Sequence, residues 1–573
     1  MRPKLPIQTL IPFLLLATCQ LSLAAERRPN VLFIALDDLN DWVGCLGGHP
    51  QAITPNLDRL AASGVLFDNA HCPAPACNPS RTAIFTGISP HVSGMYSNGQ
   101  KMRQVLPGAE LLPKYFSRHG YFSAGSGKML HYFIDAGSWD EYYPAKETEN
   151  PFPPHIDWGK RPKSLPRGGP WQYVETDWHA FDVTDDEFGG DAKVAGYVSA
   201  QLTKTHDKPF FLACGIYRPH EPWFVPKKYF NLFPLDQVQL PPGYREDDLD
   251  DLPVSGKRAG PNRYFAHIRA HKQWRPAVQA YLASIAYADA MLGRVLDALD
   301  NSPHKDNTIV ALWSDHGWHL GEKQHWQKFT AWRASTRVPF MIRSPKNVPG
   351  LPSGTTPGTV CSRPVSLLSL YPTLTRLCGL PHKADNSAPS LVPLLANPQS
   401  SWPHVAVTHT HKPGTYGLST GGWRYIHYTD GGEELYDITT DPHEWDNLAA
   451  DPSHAGKLAE LRNLAPKKFA ALVPPKDESL PELPWKTGRA PASDPVGSPF
   501  DVVFINHRNT PVELHWMDTR GNPKSYGQIA PGQKKRQQTR PGAVWQITLP
   551  TSPDALGHFS VDDRSARAII QKK

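Results

Sequence analysis

The sequence predicts an α/β protein whose sheet is parallel around its centre. Three apolar runs carry that prediction: residues 31–36, 210–216 and 308–313. Each is continuous instead of alternating, as expected of a strand covered on both faces. Each also runs straight into a polar cluster: Asp37-Asp38, Tyr217-Arg218-Pro219-His220 and Asp315-His316-Gly317. Ligands of open α/β sheets bind beyond the carboxyl ends of the strands, so the three clusters mark one candidate site. Residues 280–299 supply a long covering helix. Tyr281, Ile285, Ala288, Met291, Leu292 and Val295 fall on one broad face of it, which reads as core.

At 573 residues the chain is long enough for two or three domains. With 40% hydrophobic and 20% charged residues, and 59 prolines, it is a folded, loop-rich chain and not a disordered one. The net charge of +6 suits an anionic substrate and gives no argument for nucleic acid. Residues 1–25 read as a secretory signal. Arg2 and Lys4 precede an apolar stretch, 10–18, that is too short to span a bilayer, and Ser22-Leu23-Ala24-Ala25 offers a cleavage site before Glu26. A lipoprotein signal ending at Cys19 is the alternative, and Thr18 disfavours it. No later stretch reads as a transmembrane anchor, so the expected location is periplasmic or secreted.

Further elements follow in order. A helix begins near Thr54, another covers 111–119, and a short strand at 120–124 leads to Gly127-Lys128-Met129-Leu130-His131. Residues 134–190 are rich in Pro, Trp and Asp and read as an insertion near the site, a contributor to substrate specificity. The catalytic unit is expected over 26–400, with a helix at 365–374. A subdomain of short antiparallel strands and a helix at 454–472 is expected over 401–475. Residues 476–499 read as a linker. Residues 500–573 read as a separate β unit, with strands at 502–506, 512–516 and 544–547 and turns at Asp518–Asn522 and Pro531-Gly532.

The chemistry centres on Cys77-Asn78-Pro79-Ser80-Arg81, followed by Thr82-Ala83-Ile84-Phe85-Thr86-Gly87. A Cys in a Pro-rich loop is by itself an ordinary structural thiol. C-x-P-S-R followed by four residues and Thr-Gly, however, resembles the signature of the type I sulfatases. Gly127-Lys128-x-x-His131 is similar to that family's second catalytic loop, and His220 to its substrate-side histidine. Asp37-Asp38-Leu39-Asn40, Pro219-His220-Glu221-Pro222-Trp223 and Asp315-His316-Gly317-Trp318-x-Leu320-Gly321-Glu322 resemble the iduronate 2-sulfatase branch.

The resemblance implies an alkaline-phosphatase-like fold, with a large mixed sheet flanked by helices and a small antiparallel C-terminal subdomain. It implies that Cys77 is oxidised to formylglycine (3-oxoalanine) by a formylglycine-generating enzyme. A hydrated aldehyde carries two hydroxyls: one attacks sulfur, and the other, once deprotonated, expels sulfate and restores the aldehyde. Asp37, Asp38, Asp315 and His316, with residue 77, would hold a divalent cation. The family precedent is Ca²⁺, and His316 keeps Mg²⁺, Mn²⁺ or Zn²⁺ open. Arg81 and Lys128 would stabilise the hydrate, His131 would be the base for sulfate elimination, and Lys328 and His220 would bind sulfate and assist the leaving alcohol. The implied substrate is a sulfated carbohydrate. A phosphonate or phosphate ester hydrolase of the same superfamily and a non-catalytic glycan-binding relative remain alternatives.

Seven cysteines occur. Without Cys19 and the modified Cys77 the set is odd, and Cys361–Cys378 is the best candidate for a single disulfide. Within 500–573, Asn506, Trp516, Asp518, Gly521, Tyr526, Pro531-Gly532 and Gly542-x-x-Trp545 resemble the β domain of the von Hippel-Lindau protein, a β-sandwich. In that family an aromatic pocket takes hydroxyproline. Trp516, Tyr526, Thr539 and Trp545 fall near pocket positions, but Ala543 stands where a His is expected. Lys534, Lys535, Arg536 and Arg540 read as a solvated face, with a sulfated polymer as their alternative occupant.

Overall fold

The structure, a computed structural model, describes residues 28–131, 133–145, 162, 164–166, 175–473, 480–495, 500–562 and 565–571. The predicted signal at 1–25 and much of the 134–190 insertion lie outside the described residues.

An eight-stranded mixed sheet organises the larger, N-terminal part of the chain. Its strand order is Thr359–Cys361, Val65–Phe67, Phe340–Arg343, Thr308–Ser314, Asn30–Leu36, Phe210–Ile216, Phe122–Gly127 and Glu141–Tyr143. The three apolar runs lie side by side and parallel at its centre. Phe340–Arg343 is antiparallel to both of its neighbours, and this makes the sheet mixed. Along Asn30–Leu36, Leu32, Ile34 and Leu36 enter one core and Val31, Phe33 and Ala35 the other. An unbroken apolar run is therefore required here, because neither face meets water.

The covering helix spans Trp274–Asp300 and starts earlier than its apolar pattern, because Pro276 in its first turn displaces no helical amide bond. Its predicted face packs into the first core. The helix bearing the cysteine motif starts at Cys77 itself. It spans Cys77–Thr86, accommodates Pro79 in its first turn and ends at Gly87 with φ 74°. The stretch predicted helical at 365–374 divides into a strand, Val365–Ser366, a 3-10 turn, Leu367–Ser369, and a helix, Leu370–Leu377.

Strand register brings the site together. Leu36 lies opposite both Ser314 and Ile216, and Gly127 lies opposite Gly215. The next residues along each strand, Asp37, Asp315, Tyr217 and Lys128, consequently emerge together at one sheet end. Two glycines permit the closest approach. Gly127 has φ 77°, and a Cβ on it would lie 2.0 Å from the Gly215 carbonyl oxygen. A Cβ on Gly215 would lie 2.5 Å from the carbonyl carbon and oxygen of Lys128, whose amide donates to Gly215 O at 3.0 Å. Gly215→Ala is expected to cost about 3 kcal/mol in chemical denaturation and to depress kcat, because the backbone carrying Lys128 must move. Unchanged stability and kcat would show that the loop yields freely.

The next unit is a four-stranded antiparallel sheet, Ala406–His409, Tyr416–Ser419, Trp423–His427 and Glu433–Asp437, followed by the helix Ala455–Leu464. That helix ends before the predicted 472 because Ala465 precedes Pro466, and a residue before proline leaves the α region.

The C-terminal unit is a seven-stranded sandwich. One sheet orders Lys534–Thr539, Phe500–Asn506 and Ala566–Ile570. The other orders Pro523–Ile529, Val512–Met517, Val544–Leu549 and Ser552–Ser560. Two readings need correction. Residues 480–495, assigned by composition to a linker, belong to this unit: Leu483 is buried in its core and Trp485 packs on Phe559 at 5.1 Å. The Cys361–Cys378 pairing does not form. All described cysteines are free, because Cys361 lies on the edge strand facing Pro398 O at 3.8 Å, while Cys378 ends a helix beside Tyr121.

Candidate active site

Cys77 opens its helix with the side chain fully buried at the end of the central sheet. Its Sγ is 3.1 Å from Lys328 Nζ, 3.3 Å from His316 Nε2 and 3.6 Å from Lys128 Nζ. Asp37 Oδ1 and Asp38 Oδ1 lie 3.7 and 3.9 Å away. The helix N-terminus adds a partial positive charge at the same point.

Arg81 is one helical turn on and shares the face of Cys77. With no exposed side-chain surface, it donates from Nε to Asp315 Oδ2 at 2.8 Å and from Nη2 to Asp37 Oδ1 at 3.2 Å. Nη1 donates to Lys128 O at 2.5 Å. One guanidinium thus ties two strand ends to the loop that carries Lys128. Lys128 pairs with Asp37 Oδ2, and Lys328 donates to Asp38 Oδ1 at 2.7 Å. His220 Nε2 lies 3.7 Å from Asp38 Oδ2, and its Nδ1 is engaged by Glu221 O at 2.5 Å.

The electrostatics follow from burial among these charges. Burial raises the Asp37 carboxyl, but Lys128 and Arg81 outweigh it and hold that group well below the usual range. Burial raises Asp38 to about 8, despite Lys328. Burial, then the cations Lys128 and Lys328, hold His131 well below its ordinary value and therefore neutral. Burial and Lys128 do the same for His220. Lys328 stays charged: burial opposes its charge, and Asp38 and Cys77 more than restore it.

A divalent cation suits this donor set. One ligand atom from each of Asp37, Asp38, Cys77, Asp315 and His316 lies within 4.8 Å of all the others. Asp38 Oδ2 is buried and accepts no hydrogen bond among the described residues. His316 Nδ1 lies 3.0 Å from Gly317 O, which puts the ring proton there and leaves the Nε2 lone pair facing the cluster. Asp38 also has φ 60°, an uncommon conformation for a non-glycine residue.

Nine of the ten residues singled out in the sequence converge here: the four carboxylate and histidine ligand candidates, Cys77, Arg81, Lys128, Lys328 and His220. His131 joins them through its coupling to Lys128 and Lys328. Other participants carry no sequence signal. Tyr281, read only as core, donates its hydroxyl to Asp38 O at 2.7 Å. Asp191 accepts from the amides of Tyr217 and Arg218 at 2.7 and 3.1 Å and so shapes the His220 loop. Gln327, with φ 81°, donates to Glu221 Oε1 at 2.9 Å and links that loop to Lys328, while Thr176 donates to Glu221 Oε2 at 2.7 Å. Burial pushes this Glu221 carboxyl up to about 8.

A family model described as Sulfatase matches residues 29–380, more than half of the chain. The chain belongs to the sulfatase family. It is accordingly a sulfuric ester hydrolase. The model of the N-sulphoglucosamine sulphohydrolase C-terminal region matches residues 321–468 of this sulfatase, and that of the VHL beta domain matches 495–558. The sulfatase is 40% identical over 479 residues to a sulfatase of Formosa agariphila, covering 80% of this chain and 92% of that protein. It is 30% identical over 390 residues to the iduronate 2-sulfatase of Homo sapiens, covering 61% and 69% of the two chains. Among solved structures, a 2-O GAG sulfatase superposes with a TM-score of 0.58 at 24% identity, over 76% of this chain and 91% of that one. A phosphonate monoester hydrolase of Agrobacterium radiobacter superposes with a TM-score of 0.62 at 22% identity, over 76% and 94%. At these identities the superpositions describe the fold alone.

Proposed function

We propose that this sulfatase removes sulfate from a sulfated glycan, in the manner of an iduronate 2-sulfatase, through a formylglycine made from Cys77. The placement of Cys77 Sγ carries the reading: it sits at a helix N-terminus, against Lys128 and Lys328, inside a buried carboxylate–histidine cluster. The likeness to iduronate 2-sulfatases supports the substrate class.

Asp37, Asp38, Asp315 and His316, with residue 77, would hold the cation. Ca²⁺ is the first choice for three hard carboxylates, and Mg²⁺ or Mn²⁺ the next. Bound there, it would polarise sulfate oxygens. The formylglycine hydrate would supply the attacking hydroxyl and, from its second hydroxyl, the means of expelling sulfate.

The remaining steps fall to the chain's own side chains. Lys128 and the charged Lys328 face the oxygens gathered beside residue 77 and help neutralise them. Arg81 holds Asp37, Asp315 and the Lys128 loop in one frame. Neutral His131 takes the proton that is lost as sulfate is eliminated. His220, with Nδ1 engaged by Glu221 O, turns Nε2 toward the leaving oxygen, and Lys328 supports the same bond. Export by residues 1–25 to the periplasm or exterior belongs to this reading, as does maturation by a formylglycine-generating enzyme. No helix among the described residues is long and apolar enough to cross a membrane.

The test compares esters that share one leaving alcohol, using protein matured alongside a formylglycine-generating enzyme. Uronate 2-O-sulfate disaccharides are expected to release sulfate at least about a hundredfold faster, in kcat/KM, than the matched phosphonate and phosphate esters release their alcohol. The reverse order would assign the chain to phosphoryl chemistry.

A further inference from the structure

The charge of the chain is concentrated in its last domain. Residues 500–573 carry eleven Lys and Arg against six Asp and Glu, while residues 1–499 carry 49 against 48. Almost all of the net +6 therefore resides in about an eighth of the sequence. Within the sandwich the charge is localised again. Pro523–Ile529 and Lys534–Thr539 are the edge strands of their respective sheets. Their sequences, PKSYGQI and KKRQQT, hold Lys524, Lys534, Lys535 and Arg536 and no acidic residue.

The two edges close the same side of the sandwich, since Lys535 Nζ donates across to Tyr526 O. Lys524, Lys534 and Arg536 are exposed, and Lys535 is half-buried. Arg536 Nη1 lies 3.6 Å from Asp501 Oδ2.

Aromatic rings lie beside Lys524 and Lys535, while Lys534 and Arg536, paired with Ile505 and Val503, flank the same edge from the outer face of their strand. Register pairs Trp516 with Lys524 on one side and with Trp545 on the other, so the three side chains leave the same sheet face. Tyr526 meets Trp545 edge-on at 5.0 Å, and Trp545 Nε1 donates to Thr539 Oγ1 at 3.0 Å. Trp545 is thereby committed to the core, whereas Trp516 and Tyr526 are only partly buried. Lysines on edge strands commonly serve to block strand pairing. That role calls for charge alone and leaves the adjoining half-exposed Trp516 and Tyr526 unexplained. Flat aromatic faces with cations at hydrogen-bonding reach match a saccharide ring that bears sulfate: the ring stacks, and the sulfate oxygens accept from Lys and Arg.

We propose that this edge is a second binding site, separate from the catalytic centre, for the sulfated polysaccharide chain whose esters the catalytic domain cuts. The proposal rests on the sulfated-glycan reading above. Its role is to raise the local concentration of polymer at the active site, as a second linked binding module does.

The test uses the full chain and reads binding without turnover, so a wrong reading of the catalytic reaction would leave the measurement intact. Affinity electrophoresis is run with heparin, with fully desulfated N-acetylated heparin and with polyglutamate as probes. The fourfold variant Lys524→Gln/Lys534→Gln/Lys535→Gln/Arg536→Gln is expected to bind heparin at least about tenfold more weakly. Tyr526→Ala is expected to weaken heparin binding as well, and the desulfated probe is expected not to bind. Turnover of a monosaccharide sulfate should stay unchanged in both variants. The exposed pair Lys534→Gln/Arg536→Gln keeps the test open if the fourfold variant loses its melting transition. Unchanged heparin affinity in the charge variants, or polyglutamate bound as tightly as heparin, would overturn the proposal.

Discussion

Cys77→Ala is expected to abolish sulfate release, lowering kcat by at least about 10⁴-fold while leaving the fold intact. The two halves of that expectation have separate causes. Loss of activity follows if residue 77 is the atom source for covalent chemistry, because no neighbouring group in the cluster is a replacement: Asp37, Asp38, Asp315 and His316 face a cation site, Lys328 is charged and Lys128 is paired with Asp37. Survival of the fold follows from size. The side chain lost is a single buried sulfur, and Ala remains a good helix former at the first position of Cys77–Thr86. Thermal melting and a turnover assay on one preparation check both halves. Mass spectrometry of the residue 77 peptide in the parent protein completes the argument. A mass lower by about 18 Da than the thiol form marks the aldehyde. Full activity in Cys77→Ala would remove residue 77 from the mechanism.

Much of this site was legible because parallel strands transmit sequence into space simply. A continuous apolar run that ends in Asp37-Asp38, and another that ends in Asp315-His316, become neighbours once Leu36 pairs with Ser314. Pairing of Leu36 with Ile216 and of Gly215 with Gly127 adds the His220 and Lys128 loops by the same logic. What remained illegible has no periodicity to read. Glu221 and Gln327 bond across 106 residues, and nothing in either local sequence signals the other. Tyr281 fits its helix face as core, and only the structure shows its hydroxyl under Asp38. Composition misassigned 480–495, since a Pro-rich stretch with Leu483 and Trp485 resembles a linker until those two side chains find a core. Nearness in sequence similarly suggested a Cys361–Cys378 bond, although a sheet edge and a helix end take the two thiols to different neighbours.

Arg81→Ala is expected to destabilise the protein by about 3–5 kcal/mol, the largest stability loss for any single site residue. The guanidinium has no exposed surface and serves four partners at once: Asp315, Asp37 and the carbonyls of Lys128 and Met129. It also lies over the ring of Trp313 at 5.6 Å, on the strand that delivers Asp315. Removing it leaves Asp315 and Asp37 without their shared cation, although Lys128 still pairs with Asp37, and two carbonyls without their donor. An uncompensated buried charge of this kind costs far more than the intact pair contributes. Arg81→Lys separates charge from geometry. A lysine restores the positive charge but not the planar fork that reaches Nε and Nη partners together, so partial recovery of stability with little recovery of kcat is expected. Denaturant melts of both variants, with and without added Ca²⁺, give the measurement. If the added ion recovers most of the Ala variant's stability, the defect lies in carboxylate repulsion. If it recovers little, the tie to the Lys128 loop dominates. A loss below about 1 kcal/mol would mean that neither matters and that the motif's Arg is kept for chemistry alone.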